Sequence, residues 1–151
     1  MKLAEALQER ADLNRRIQQL QGRLNSNAVV QEGERPPESP KELLRELDGC
    51  ITQLEALIGQ INLTNCRTEL EGESLTQLLA RRDALKLKLS AYRDLAYSAS
   101  QLAHRGTRSE IKLLSTVDVK AVQKQVDGMA RDLRLLDNRI QAANWTTELL
   151  T

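Results

Sequence analysis

The sequence predicts an all-α protein: one domain over residues 1–151, folded as an antiparallel, up-down-up-down four-helix bundle with a small two-stranded β element at one end. Three observations carry this. Four segments place apolar residues at alternating steps of three and four, the spacing that lays one stripe along a helix. Helix-start signals precede three of the four segments. Strand-forming aromatics are almost absent, with only Tyr92, Tyr97 and Trp145 and no Phe, so a sandwich or barrel is disfavoured.

The first helix is expected over about residues 2–25, with the stripe Leu3, Ala6, Arg10, Leu13, Ile17, Leu20, Leu24. The second, about 40–65, carries Leu44, Leu47, Ile51, Leu54, Ile58, Ile61, with Leu43, Cys50 and Leu57 as a further apolar row beside it. Its start is marked by Ser39-Pro40-Lys41-Glu42: a Ser cap, Pro where its missing N–H costs nothing, and Glu at N3. The third, about 74–103, follows Ser74-Leu75-Thr76-Gln77 and carries Leu75, Leu78, Arg82, Leu85, Leu89, Tyr92, Ala96, Ala99. The fourth, about 119–145, is capped by Asp118 and carries Val119, Val122, Val126, Met129, Leu133, Leu136, Ile140, Ala143. One narrow heptad stripe per helix is what coiled-coil-like seams with shallow crossing angles need.

A short link around 66–73 makes the second and third helices antiparallel neighbours. The longer loops, 26–39 and 104–118, then emerge at one end. Ala28-Val29-Val30-Gln31 and residues 110–117 have strand-like composition, so these two loops are expected to form the β element. Gly22, Gly49, Gly59 and Gly128 fall inside helices and point away from the stripes. So do Leu87 and Leu135. Together with the extra row on the second helix, this is more apolar surface than a monomer needs, and a homo-oligomer is expected.

Composition excludes several functions. A net charge of +1 provides no basic face for nucleic acid. Charges interrupt the N-terminal Met1–Arg10 stretch, so it has no secretory core. No apolar run is long enough to cross a bilayer. A cytoplasmic protein is expected, with no membrane role. If one helix carries both Cys50 and Cys66, they sit about 24 Å apart at 1.5 Å per residue, too far for a disulfide. His104 is the single histidine and no Glu-x-x-His pair exists, so a di-iron site, a metal centre and a Ser-His-Asp triad are not expected. Nor is a cofactor, since the chain lacks a glycine-rich phosphate loop. No enzyme is expected.

Two candidate sites stand out. Arg10 and Arg82 take stripe positions where the pattern calls for Leu. Register places them at one height, with Glu55 and Asp137 beside the stripes of their own helices. The layer is either a salt-bridged register key or an anion pocket, since guanidinium groups suit carboxylate or phosphate. At the opposite end from the long loops, Asn62, Thr64, Asn65 and Thr68 gather with Asn144, Trp145, Thr146 and Thr147. They either satisfy helix-terminal backbone groups or hold a polar partner with Trp145 as anchor. The mixed charges of Arg35, Arg105, Arg108 and Lys112 with Glu32, Glu34, Glu38 and Glu110 suggest a self-paired surface.

Residues 1–13 (Met-Lys-Leu-Ala-Glu-Ala-Leu-Gln-Glu-Arg-Ala-Asp-Leu), 27–34 (Asn-Ala-Val-Val-Gln-Glu-Gly-Glu), 61–65 (Ile-Asn-Leu-Thr-Asn), 75–83 (Leu-Thr-Gln-Leu-Leu-Ala-Arg-Arg-Asp) and Asn144-Trp145 resemble a small bacterial family labelled septicolysin. The resemblance implies a pore-forming cytolysin and carries over no functional residues. The residues themselves favour helix–helix packing over membrane refolding, because the heptad stripes are so regular. The leading expectation is a non-enzymatic, self-associating bundle acting through protein partners. A membrane-active protein and an anion-binding bundle centred on Arg10 and Arg82 are the alternatives.

Overall fold

The structure, a computed structural model, describes residues 1–102 and 111–151. Its described residues form α1 (Leu3–Ser26), α2 (Pro40–Arg67), α3 (Leu75–Ser100) and α4 (Val119–Thr146). Two short strands, β1 (Glu69–Leu70) and β2 (Glu73–Ser74), pair antiparallel. This is the all-α, four-helix fold with a small two-stranded element that the sequence predicts. The chain divides into two compact units: Met1–Ser74 with Ala143–Thr151, and Leu75–Ala142.

In the first unit α1 packs directly on α2. Arg16 pairs with Glu46, and Arg23 with Glu38, so the two helices run antiparallel. The α1 stripe lies in the predicted phase: Leu3, Ala6, Leu13 and Leu20 are buried, and Arg10, Ile17 and Leu24 are half-buried. Each fully buried Leu contributes roughly 1.5–3 kcal/mol of transfer free energy.

On α2 the phase is corrected. The buried residues are Leu43, Cys50, Leu57, Ile61 and Thr64, with Leu47 and Leu54 half-buried. Leu44, Ile51 and Ile58, expected in the stripe, are 48%, 46% and 38% exposed. The row expected to be secondary is therefore the buried one. Ile61 alone of the predicted stripe is fully covered, at 1% exposure.

The β element is also corrected in place. It is a hairpin in the short α2–α3 link, with Glu69 opposite Ser74 and Leu70 opposite Glu73. Glu71 and Gly72 form its turn, both at positive φ (52° and 84°), the backbone that two-residue hairpin turns need. Residues 28–31 and 111–117 are not strands. Val29 is 86% exposed and Ile111 76%. A different device closes the α1–α2 loop. Asn27 Nδ2 donates to the Arg23 carbonyl at 2.8 Å, and Asn27 Oδ1 accepts from the Glu38 N–H at 3.0 Å. One buried amide thus ties the end of α1 to the start of α2.

In the second unit α3 buries Leu75, Leu78, Leu89 and Ala96, and α4 buries Val122, Val126, Leu136 and Ile140. Both stripes have the predicted phase. Asp118 caps α4 as expected, accepting the Ala121 N–H at 3.2 Å. Ser39 stands at the α2 N-cap, but its hydroxyl makes no cap bond. Glycines 22, 49, 59 and 128 face open space, with nothing within 4 Å of a Cβ built on them. Neither cysteine forms a disulfide among the described residues. No helix among the described residues is long and apolar enough to cross a membrane.

Candidate functional site

Arg82 occupies the stripe of α3 between Leu78 and Leu85, so the helix carries a charge into its own seam. Its side chain is 22% exposed. Nη1 donates to Asp137 Oδ1 on α4 at 3.3 Å. Nε is buried, makes no hydrogen bond among the described residues, and lies 3.7 Å from Asp83 Oδ1. Beside this pair an open groove runs between α3 and α4, lined by Lys86, Leu89, Arg93, Ala130, Leu133, Arg134 and Asp137. Three cations face one carboxylate there, which suits a carboxylate or phosphate ligand. Lys86, Arg93 and Arg134 were not singled out from the sequence. They sit beside the stripes rather than in them, and only the α3–α4 register shows that they share a groove.

Of the four residues expected in the charged layer, Arg82 and Asp137 therefore meet in the second unit. Arg10 is half-buried on α1 and Glu55 exposed on α2, both in the first unit.

The polar end cluster is organised around Thr64, which is fully buried. Its hydroxyl donates to the Gln60 carbonyl at 2.7 Å and accepts the Leu150 N–H at 2.9 Å. Residues 147–149 run beside residues 1–3. The Leu3 N–H donates to the Thr147 carbonyl at 2.9 Å, and the Leu149 N–H to the Met1 carbonyl at 2.8 Å. Lys2 Nζ reaches Glu148 at 2.5 Å. This clasp satisfies the Leu3 N–H at the start of α1. Asn144 is buried, Asn65 half-buried and Asn62 exposed. Trp145 is 60% exposed and so presents its ring to solvent.

Electrostatics mark the same contacts. The Arg23 guanidinium hydrogen-bonds Glu38 and holds its carboxyl below the ordinary range. Lys2, and then the N-terminal amine, do the same for Glu148. Arg16 and Arg23 are held above their ordinary value by hydrogen bonds to Glu46 and Glu38. His104, Arg105, Arg108 and Glu110 lie outside the described residues. Among the described residues no group of three His, Cys, Asp or Glu is placed to hold a metal ion.

The model of a family of unknown function, DUF6847, matches residues 10–149. The chain belongs to this family. A crystal structure of a functionally unknown conserved protein from Corynebacterium diphtheriae is 43% identical, with 99% of each chain covered and a TM-score of 0.94. No curated protein matches the chain significantly. These findings correct the septicolysin resemblance: neither DUF6847 nor the solved relative carries that label, and both are of unknown function. The pore-forming activity that the label implied has no support from them.

Proposed function

We propose that this chain is a non-enzymatic, cytoplasmic protein that self-associates and acts through protein–protein contacts. The observation that carries the reading is apolar surface left uncovered on the helices, of which the row on α2 is one part. Leu44, Ile51 and Ile58 recur every seven residues and are 48%, 46% and 38% exposed. Apolar side chains at heptad spacing on a helix are the pattern a partner helix covers. Scattered exposed Leu would mean little; a repeated row is different. Sedimentation velocity over a concentration series tests this. Association is expected, and a single species at the monomer mass of 17.0 kDa throughout would sink it.

A second reading has its own support: an anion held in the α3–α4 groove. Lys86, Arg93 and Arg134, which line the groove with Asp137 as its one carboxylate, favour it. Thermal-shift screening with phosphate and with di- and tricarboxylates is the check. A rise lost in Arg134→Gln supports it, and a flat screen retires it.

A further inference from the structure

α3 has two apolar faces. One is its stripe, which contains Arg82. The other lies on the opposite side of the helix: Ala80, Ala84, Leu87, Ala91 and Leu95, at steps of four, three, four and four. All five are exposed, Leu87 at 75% and Leu95 at 43%. Ala84 and Leu95 are eleven residues apart, a period that follows an α-helix almost without drift. The row therefore runs straight along α3 instead of winding round it. Alanines let another backbone come close, and the leucines supply knobs to interlock.

The flanks of this row carry opposite charge. Asp83 and Asp94 lie along one side, and Arg81 and Lys88 along the other. Two such helices packed face to face can run in either direction, and charge distinguishes the two. In parallel packing the acidic flank of each meets the basic flank of the other. Asp83 precedes Lys88 by five residues, the offset at which flanking residues face across a parallel two-stranded seam. In antiparallel packing the acidic flank meets itself, with Asp83 near Asp94 of the other helix. The Asp83 side chain is 70% exposed and has room to swing to a new partner.

We propose that this face of α3 takes α3 of a second copy of the chain, parallel and in register, with Asp83 of each copy paired to Lys88 of the other. The proposal rests on the self-association reading above and names the surface. The α2 row is then left for a different partner.

The test is sedimentation of the full chain, wild type and variants, with helix content checked by circular dichroism. Leu87→Glu is expected to weaken self-association by about tenfold or more, since it puts two carboxylates into the seam. Ile51→Glu is expected to leave it unchanged. Asp83→Lys and Lys88→Glu should each weaken it by about threefold, and the double variant should recover most of the loss. In a Cys66→Ser background, Ala80→Cys should cross-link to itself.

Other outcomes overturn the proposal in distinguishable ways. A monomeric wild type removes both this inference and the reading it rests on. Association lost in Ile51→Glu but kept in Leu87→Glu removes this inference alone. Cross-linking only when Ala80→Cys and Leu95→Cys are mixed shows antiparallel packing and removes the parallel arrangement. A double charge swap no better than the single ones removes the Asp83–Lys88 pairing.

Discussion

The two units close their helix pairs by different means. In the first, α1 and α2 are tied by polar groups along their whole length. Arg23–Glu38 and Asn27 hold one end, Arg16–Glu46 the middle, and the clasp of residues 147–150 the other end. Most of the side-chain charges involved are well exposed, so each pair is worth little and weakens in salt. In the second unit a charged pair, Arg82–Asp137, sits half-buried within the apolar seam itself. A tie of that kind adds little net stability but penalises any register in which Arg82 loses its partner. Both units bury apolar stripes; the polar ties added to the first are many, weak and replaceable, whereas the second has one sensitive position.

Core truncation should have the largest effect and separate the units most clearly. Leu20→Ala in the first unit and Leu89→Ala in the second remove side chains that are 1% and 4% exposed. Each is expected to cost about 2–5 kcal/mol in denaturant unfolding. Hydrogen exchange should show faster opening in α1 and α2 for Leu20→Ala, and in α3 and α4 for Leu89→Ala. Equal loss across all four helices would show that the units open as one.

The sensitive position comes next. Asp137→Ala leaves the Arg82 guanidinium only its longer contact with Asp83 and should cost about 1–2 kcal/mol, reduced from the fully buried case by partial exposure. Arg82→Met should be neutral or stabilising, because an apolar side chain suits that seam position. If both variants lose stability equally, the pair is a net stabiliser and the contrast drawn between the units is wrong.

Thr64→Val keeps the shape but removes the acceptor for the Leu150 N–H. It should cost about 1 kcal/mol and speed exchange of the Leu150 amide selectively.

Gly49→Ala and Gly128→Ala place one methyl on each unit's outer surface. Each should add up to about 1 kcal/mol of stability, since the added Cβ meets nothing. A loss of stability or of assembly would reveal a close neighbour at that glycine.

The smallest effect is the response to acid. Glu38 and Glu148 have carboxyl values below the ordinary 4.5. The folded form then binds fewer protons than the unfolded one, so their stabilisation is complete above 4.5 and fades as pH falls below it. Amide exchange in residues 147–150 and in the α1–α2 loop should quicken over that range, before α3 and α4 respond. A uniform response would show that these pairs do not set local stability.

Much of this architecture was legible because one row outweighs the rest on three helices. On α1 and α4 the larger apolar side chains concentrate in one stripe, and on α3 the stripe of Leu75, Leu78, Leu85 and Leu89 outweighs the alanine-rich row opposite, so spacing and size together set which face is buried. The height of Arg82 against Asp137 followed from two stripes in correct phase. On α2 the sequence contains adjacent apolar pairs at heptad spacing: Leu43–Leu44, Cys50–Ile51 and Leu57–Ile58. Both members fit the same periodicity, with Leu47, Leu54 and Ile61 common to either choice. Nothing local decides between them; packing does. The hairpin was hidden because Glu71 stands at a positive-φ position where Asn or Asp is the usual signal. The basic groove was hidden because its cations come from two helices. The clasp's pairing was hidden because most of its bonds are between backbone groups, which leave no side-chain pattern.

The first unit is interrupted in sequence, since residues 75–142 lie between its two pieces. The second unit is in effect an insert in the first. During synthesis the α1–α2 hairpin emerges early and waits until residues 75–146 have followed before residues 147–150 can reach Thr64. Joining positions so distant costs loop-closure entropy, which falls if the intervening segment has already become compact. A contact of that span belongs among the late events of folding. The buried Thr64 hydroxyl therefore closes this unit late, bonded to Leu150 only once the residues between them have been made.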